Sequence, residues 1–217
     1  MRSQFDEQLQ NLNNALIEMG ALCEEAIALT SKALTLGDTA LAGKVTKLDS
    51  EIDRMERDIE NACLKLLLHQ QPVAKDLRLI SAALKMITDM ERIGDQAEDI
   101  AEIVCLLNGR TAQQDDLLRE MAKAVIAMVT ESIDAFVKHD LALAQKVVGD
   151  DNTVDRYFDN IKQELIGSIA QNPADGEYAL DLLMIAKYLE RIGDHAVNLA
   201  EWVEFVRTGR YHNENMF

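Results

Sequence analysis

Apolar residues recur at intervals of three and four positions along most of the chain, and glycine, proline and asparagine interrupt the pattern at a few places. This periodicity predicts amphipathic α-helices that end and restart at the interruptions. Asp38, Asp140 and Asn172 are predicted N-caps, Pro173 suits a first helical position, and Gly149-Asp150 is predicted to bend the fifth helix. The predicted helices span residues 3–36, 38–70, 72–108, 113–138, 140–171 and 172–208.

The second half of the chain repeats the first. The string Glu-Arg-Ile-Gly-Asp occurs at residues 91–95 and again at residues 190–194. Other matched residues lie 99 to 102 positions apart, and the small changes of offset fall at predicted turns. We therefore predict an all-α fold of two tandem three-helix bundles with six long helices, covering residues 1–109 and 110–217 and related by an approximate two-fold axis.

The composition supports a helical protein and excludes several classes of binding partner. The chain has 217 residues, of which 48% are apolar and 5% aromatic, with two prolines and a formal net charge of −16. So negative a chain should repel nucleic acid and anionic membranes, and its surface at large should not hold free phosphate. No apolar run is long enough to cross a bilayer, and the first residues do not resemble a signal peptide. Three scattered cysteines predict reduced core residues in a cytosolic protein.

Each copy of the repeated motif carries two destabilising features. Glu91 and Asp95 lie on one face of a helix, as do Glu190 and Asp194, and such like-charged pairs cost roughly 0.2–0.5 kcal/mol. A glycine within a helix costs about 1 kcal/mol relative to alanine. Both costs recur at matching places, so we expect compensation from outside the helix, and a bound cation is the leading candidate.

Acidic residues extend these pairs into stripes beside the apolar face. In a short-looped antiparallel bundle the second and third helices are neighbours, so two further aspartate pairs are expected to face the motif acids. Several carboxylate oxygens around one small volume suit Mg²⁺, Mn²⁺, Ca²⁺, iron or Zn²⁺, and the motif glycine would allow close approach. The pairs on the second and fifth helices are Asp49 with Asp53, and Asp151 with Asp155.

The residues alone leave an alternative to metal. Arginines adjoin these acids and could neutralise them through salt bridges, namely Arg54, Arg92, Arg156 and Arg191. His195 adjoins the second motif but Gln96 replaces it in the first, so it is not a repeated ligand. A carboxylate-bridged di-metal enzyme is less favoured, because no histidine follows a glutamate by three positions. The chain also has no nucleophile triad, phosphate loop or dinucleotide motif, so we do not expect an enzyme.

The two copies of the motif, with their helical continuations to residues 100 and 199, resemble the PhoU family. So do residues 71–78, Gln-Pro-Val-Ala-Lys-Asp-Leu-Arg, and the similarity covers essentially the whole chain. This resemblance implies a cytoplasmic negative regulator of phosphate uptake and of the phosphate-starvation response, built of two three-helix bundles. The implied partners are the ATPase subunit of the high-affinity phosphate ABC transporter and, where present, a sensor histidine kinase. We also expect a homodimer.

The resemblance implies metal clusters on acid-x-x-x-Asp motifs, with iron or zinc favoured over magnesium, manganese and calcium. Gln96 and Asp99 stand where the family often has histidine and asparagine, so we expect two inequivalent sites. A metal-free helical adaptor with the same partners is the alternative. The predicted ligands are Asp49, Asp53, Glu91, Asp95 and Asp99 in the first half, and Asp151, Asp155, Glu190, Asp194 and Asn198 in the second.

Overall fold

A computed structural model of the protein describes residues 2–70, 72–107, 109–111, 116–211 and 214–215. Within these residues the chain forms six long α-helices, a single 3-10 turn and a two-residue β-hairpin. The helices are α1 (Arg2–Leu36), α2 (Thr39–Gln70), α3 (Ala74–Leu106), α4 (Asp116–Lys138), α5 (Leu141–Gln171) and α6 (Gly176–Thr208). The hairpin strands are β1 (Arg210–Tyr211) and β2 (Glu214–Asn215), which pair antiparallel.

The helix starts follow the predicted capping residues. The Asp38 carboxylate accepts hydrogen bonds from two amides of the first turn of α2, at 2.9 and 3.1 Å. Asp140 does the same for α5, at 3.0 and 3.1 Å. Asn172 is also a cap, but it caps a 3-10 turn over Pro173–Asp175, so α6 begins only at Gly176. Short 3-10 turns are common at helix starts, and sequence periodicity does not separate them from α-helix.

The six helices pack as two equivalent sets. Helices α1, α2 and α3 contact one another, while α6 contacts both α4 and α5, which also contact each other. Between the two sets, the helix contacts among the described residues are α1 with α4 and α3 with α6. Each of these pairs joins a helix to its own counterpart in the repeat, which is the pairing that a two-fold axis produces. The predicted all-α fold of two three-helix bundles is confirmed, whereas the exact division at residue 109 stays a prediction.

The hydrophobic core runs without a break through both sets of helices. Ile93 and Ile192, the central residues of the repeated motif, are fully buried in it. Of the three cysteines, Cys23 and Cys63 are buried free thiols, but Cys105 is exposed near the end of α3, so its predicted place in the core is wrong. No helix among the described residues combines the length and apolarity needed to span a membrane.

Candidate metal centres

The motif glycines allow an aspartate from the neighbouring helix to approach the backbone. A Cβ atom added to Gly94 of α3 would lie 3.0 Å from Oδ1 of Asp49 in α2, and equally close to Ile52. The same arrangement recurs in the second half, where a Cβ on Gly193 would lie 3.6 Å from Oδ1 of Asp151. The glycine in the middle of each helix therefore makes room for a carboxylate, as the repeat predicted.

These two aspartates have a buried oxygen without a partner. Oδ1 of Asp49 and Oδ1 of Asp151 are inaccessible to water and accept no hydrogen bond. Burial, and after it the charges of Glu98 and Asp53, raises the pKa of Asp49 to about 7. Burial, and after it the charge of Asp155, raises the pKa of Asp151 to about 6. Both positions thus disfavour an ionised carboxylate that has no cation beside it.

Further carboxylates surround each aspartate and define two acidic clusters. The predicted ligands supply all the surrounding charges that raise the pKa of Asp151, and all but one of those that raise the pKa of Asp49. Cluster I lies between α2 and α3 and consists of Asp49, Asp53, Glu91 and Asp95. Cluster II lies between α5 and α6 and consists of Asp151, Asp155, Glu190 and Asp194. The structure therefore brings together eight of the ten predicted site residues, four in each half.

Two glutamates that the sequence reasoning missed extend cluster I. Glu98 is the charge that acts most strongly on Asp49. Burial and the charge of Asp95 raise the pKa of Glu91, and Glu56 lies close enough to raise it further. Their counterparts in the second half are Val197 and Phe158, so cluster II has no such extension. Both glutamates follow a cluster residue by three positions, and this spacing was the signal that could have identified them.

Basic side chains neutralise part of each cluster. Arg92 binds Asp95 at 2.8 Å and Glu91 at 3.4 Å, and in the second half Lys187 pairs with Glu190. Two of the other arginines predicted as competitors for the acids behave differently. Arg54 pairs with Glu51 outside the cluster, and Arg156 donates to the backbone of its own helix. The salt-bridge alternative is therefore realised at Arg92, but it leaves the central aspartates unpaired.

The remaining two predicted ligands lie at the interface between α3 and α6. Asn198 donates a hydrogen bond to Asp89 at 3.0 Å, and the His195 ring contacts the same carboxylate at 2.9 Å. Asp99, the counterpart of Asn198, lies within hydrogen-bonding reach of the Tyr188 hydroxyl. Burial raises the pKa of this hydroxyl most, and the charge of Asp99 raises it further. Asp99 and Asn198 thus contact the other half of the molecule, and their role as metal ligands stays a prediction.

The donor atoms of the clusters are of the kind that binds metal ions, but the present carboxylate rotamers do not bring them together around one point. Carboxylate oxygens suit hard and borderline cations, and the buried oxygens of Asp49 and Asp151 are acceptors left without a donor. Within the part of the chain that the structure describes, no three His, Cys, Asp or Glu side chains converge enough to hold an ion as they stand. A metal would therefore require the surrounding carboxylates to rotate towards the central aspartate.

Comparison with known proteins identifies the family. The family described as "PhoU domain" matches residues 16–104 and 118–203, once in each half. A Pseudomonas aeruginosa protein called "phosphate-specific transport system accessory protein PhoU homolog" is 36% identical, over 95% of this chain and 86% of its own length. A Clostridium acetobutylicum protein of the same name is also 36% identical, over 96% of both chains.

Solved structures agree with the sequence comparison. The crystal structure of PhoU from P. aeruginosa superposes with a TM-score of 0.90 at 36% identity, over 95% of this chain and all of that chain. That of the phosphate transport system regulatory protein PhoU from Streptococcus pneumoniae gives 0.86 at 27% identity, over 95% of this chain and 98% of that one. With the motif repeated in both halves and the fold shared throughout, the chain belongs to the PhoU family.

Proposed function

We propose that this protein regulates phosphate uptake as an accessory protein of a phosphate-specific transport system. The names of its relatives support this role, since they are accessory and regulatory proteins of such systems. The role is one of binding without catalysis. Its proposed partners are the ATPase subunit of a phosphate ABC transporter and a sensor histidine kinase. The proposed setting is the cytoplasm, and the proposed assembly is a homodimer.

The observation that carries the mechanism is the pair of buried, unpartnered aspartate oxygens. Each lies between two helices of one bundle and is surrounded by like charge. A divalent cation in each cluster would remove the repulsion and fix α2 against α3, and α5 against α6. Iron or zinc is our first proposal, followed by magnesium, manganese and calcium. The metal-stabilised helix pairs would then present a defined surface to the partners.

The two clusters are proposed to differ in affinity. Cluster I is flanked by Glu56 and Glu98, which have no acidic counterparts in cluster II. Extra carboxylates raise the affinity of a site for a hard cation, because each adds negative charge. We therefore expect cluster I to bind the first equivalent of metal more tightly than cluster II binds the second. Two indistinguishable binding steps would contradict this order.

The experiment compares double variants that remove the same number of charges. Asp49→Asn with Asp151→Asn alters both central aspartates, whereas Asp58→Asn with Asp159→Asn alters exposed positions on the same helices. Elemental analysis of protein purified without chelators, and titration with Zn²⁺ and Fe²⁺, should show metal in the wild type and the control. The central variant should bind at least tenfold more weakly, in line with the 10–100-fold losses known for residues that only support a ligand.

Capture of the transporter ATPase separates the metal-supported mechanism from a metal-free adaptor. The ion pairs of Arg92 and Lys187 favour the adaptor, because they neutralise part of each cluster without metal. If the adaptor is correct, the central double variant will capture the ATPase as well as the control does. Loss of capture together with loss of metal would support the metal-dependent surface.

A further inference from the structure

One end of the molecule has a cavity lined by basic side chains. The cavity has a volume of about 180 Å³, several times the roughly 30 Å³ that one water molecule occupies in the liquid. It lies where α3 begins, where the turn joins α4 to α5, and where α6 ends. The residues that line it are Lys75, Arg78, His139, Val206 and Arg207. We refer to it as the basic cavity.

The cations of the basic cavity have no acidic partners. None of the ion pairs formed within the described residues involves Lys75, Arg78 or Arg207. Nε of Arg78 is buried and has no hydrogen-bond partner. The nearest aspartate in sequence to His139 is Asp140, and its carboxylate is occupied in capping α5. Unpaired cations are unexpected in a chain with a net charge of −16.

The helix ends do not account for this concentration of positive charge. The C-terminal ends of α4 and α6 each contribute roughly half a negative charge, which is less than the three full charges of Lys75, Arg78 and Arg207. Two of these residues also lie in the first turns of α3, where the helix dipole disfavours cations. Burial, and after it the charges of Lys75 and Arg207, lowers the pKa of His139. The surroundings therefore already carry an excess of positive charge.

The opposite end of the molecule provides an internal comparison, because the repeat places an equivalent corner there. Its single cation, Arg110, binds Asp175 at 2.9 Å and lies 4.0 Å from the ring centre of Tyr178.

The turn residue equivalent to His139 is Gly37. Added side-chain atoms on Gly37 would meet the Gly109 carbonyl, so this corner is closed. The counterparts of Lys75 and Arg78 are Ala174 and the acidic Glu177, so this corner has no matching excess of positive charge.

The turn residue of the basic cavity has an unusual backbone conformation. His139 has a φ of 54°, and it is the non-glycine residue with positive φ in the described chain. Gly37 adopts the same conformation, with a φ of 64°, at no steric cost. A side chain in this region costs about 1–3 kcal/mol and is retained where the surroundings hold it. The strained backbone at His139 thus destabilises the second half slightly, and it places an imidazole in the cavity.

We propose that the basic cavity binds a phosphate group, either as free inorganic phosphate or as the terminal phosphate of a nucleotide. Arginine and lysine are the side chains that recognise phosphate oxygens, and Arg78 has a buried donor available. The overall negative charge opposes anion binding on the surface at large, but the local field of the cavity has the opposite sign. This proposal is independent of the metal clusters, and it would give the protein a direct response to phosphate.

The test titrates the full-length protein with inorganic phosphate and separately with ATP, at constant ionic strength, by calorimetry. The charge-reduced variant is Arg78→Gln with Arg207→Gln. Its matched control is Lys123→Gln with Lys162→Gln, which removes one exposed and one half-buried cation elsewhere. We expect saturable binding of one phosphate group per chain. Affinity should fall about tenfold or more in the charge-reduced variant and stay unchanged in the control, because hydrogen bonds to charged groups contribute the most.

The separate titrations with inorganic phosphate and with ATP distinguish the two sources of the phosphate group. Inorganic phosphate binding that depends on Arg78 and Arg207 identifies the free ion, whereas dependence seen only with ATP identifies a nucleotide. No saturable binding of either ligand up to about 10 mM, or equal binding by both variants, would overturn the proposal. The wild type gives a check that needs no substitution. The ring resonances of His139 should shift on phosphate addition, and those of His195 should not.

Discussion

At the scale of single residues, the two motif glycines have different amounts of room. A Cβ on Gly94 would lie 3.0 Å from both Asp49 and Ile52, whereas one on Gly193 would lie 3.4 Å from Val154. Alanine gains about 1 kcal/mol of helix propensity over glycine at either position. Overpacking in a core costs about 1–3 kcal/mol, and only Gly94→Ala incurs it.

We therefore expect Gly193→Ala to raise the free energy of unfolding by up to about 1 kcal/mol and Gly94→Ala to lower it by about 1 kcal/mol. Urea denaturation of the two single variants in the presence of a chelator measures both changes. Gly149→Ala is the control, because a Cβ there meets no other atom and reports helix propensity alone. Equal effects at the two motif glycines would show that the crowding at Gly94 is relieved without cost.

The raised pKa of Asp49 predicts a dependence of stability on pH. In the unfolded chain this carboxyl ionises near its usual value of 3.8, whereas in the folded protein it holds its proton up to about pH 7. The folded state therefore binds more protons in this interval. The stability that Asp49 contributes is fully present below about pH 3.8, and it is lost progressively as the pH rises to about 7.

Substitution by asparagine removes this dependence. Without metal, Asp49→Asn should be more stable than the wild type by about 1 kcal/mol at pH 8, less than the pKa shift alone would give because water still screens the side chain. At pH 5 the difference should be smaller, because the wild type has lost only part of this stability by then. Thermal unfolding with a chelator at both pH values measures it, with Asp58→Asn as the exposed control. A variant that is less stable than the wild type at pH 8 would contradict the unpaired state of Asp49.

At the scale of helices, α1 approaches α4 closely at Gly20. A Cβ at this position of α1 would overlap Cδ1 of Ile133 in α4, which is a buried side chain. We expect Gly20→Ala to lower the free energy of unfolding by about 1–3 kcal/mol, because the buried Ile133 side chain or the helix that carries it has to move. Chemical denaturation measures the loss. The double variant with Ile133→Val, which lacks the overlapping atom, should recover part of it, and no recovery would locate the effect elsewhere.

The sequence predicted the helices well because their signals are local. Asp38 and Asp140 cap helices as predicted, since the bond between a cap and its amides depends on neighbouring residues only. The short hairpin was missed, because Tyr211 is held by stacking on Trp202 at 4.1 Å, a contact between separate elements. No local pattern encodes such a contact.

The candidate site was predicted in part for the same reason. Residues four apart share a helix face, so the pairing of Glu91 with Asp95 followed from spacing. Each further step of four residues turns the side chain by about 40°, and by Asp99 the neighbour is α6 instead of α2. Glu98 turns the other way and lies near Asp49. Which of these two adjacent acids faces the cluster depends on where the neighbouring helices lie, and one sequence does not specify that.

At the scale of the whole molecule, the continuous core predicts cooperative unfolding. The buried surfaces of α1 and α3 are covered by α4 and α6, so neither half completes its core alone. We expect one calorimetric transition, with a van't Hoff enthalpy close to the calorimetric enthalpy. The experiment uses the full chain in a chelator and again with saturating Zn²⁺. Two resolved transitions in the chelator would show that the halves fold independently.

The pairing of each helix with its own counterpart has an evolutionary consequence. The contacts of α1 with α4 and of α3 with α6 have the form of a symmetric dimer interface, here enclosed within one polypeptide. In a dimer of identical subunits every substitution occurs in both copies. Covalent fusion removes that restriction, so Glu98 and Val197, or Gly37 and His139, were free to diverge at equivalent positions. One inherited scaffold can thus carry two specialised, non-identical sites without losing the interface that holds it together.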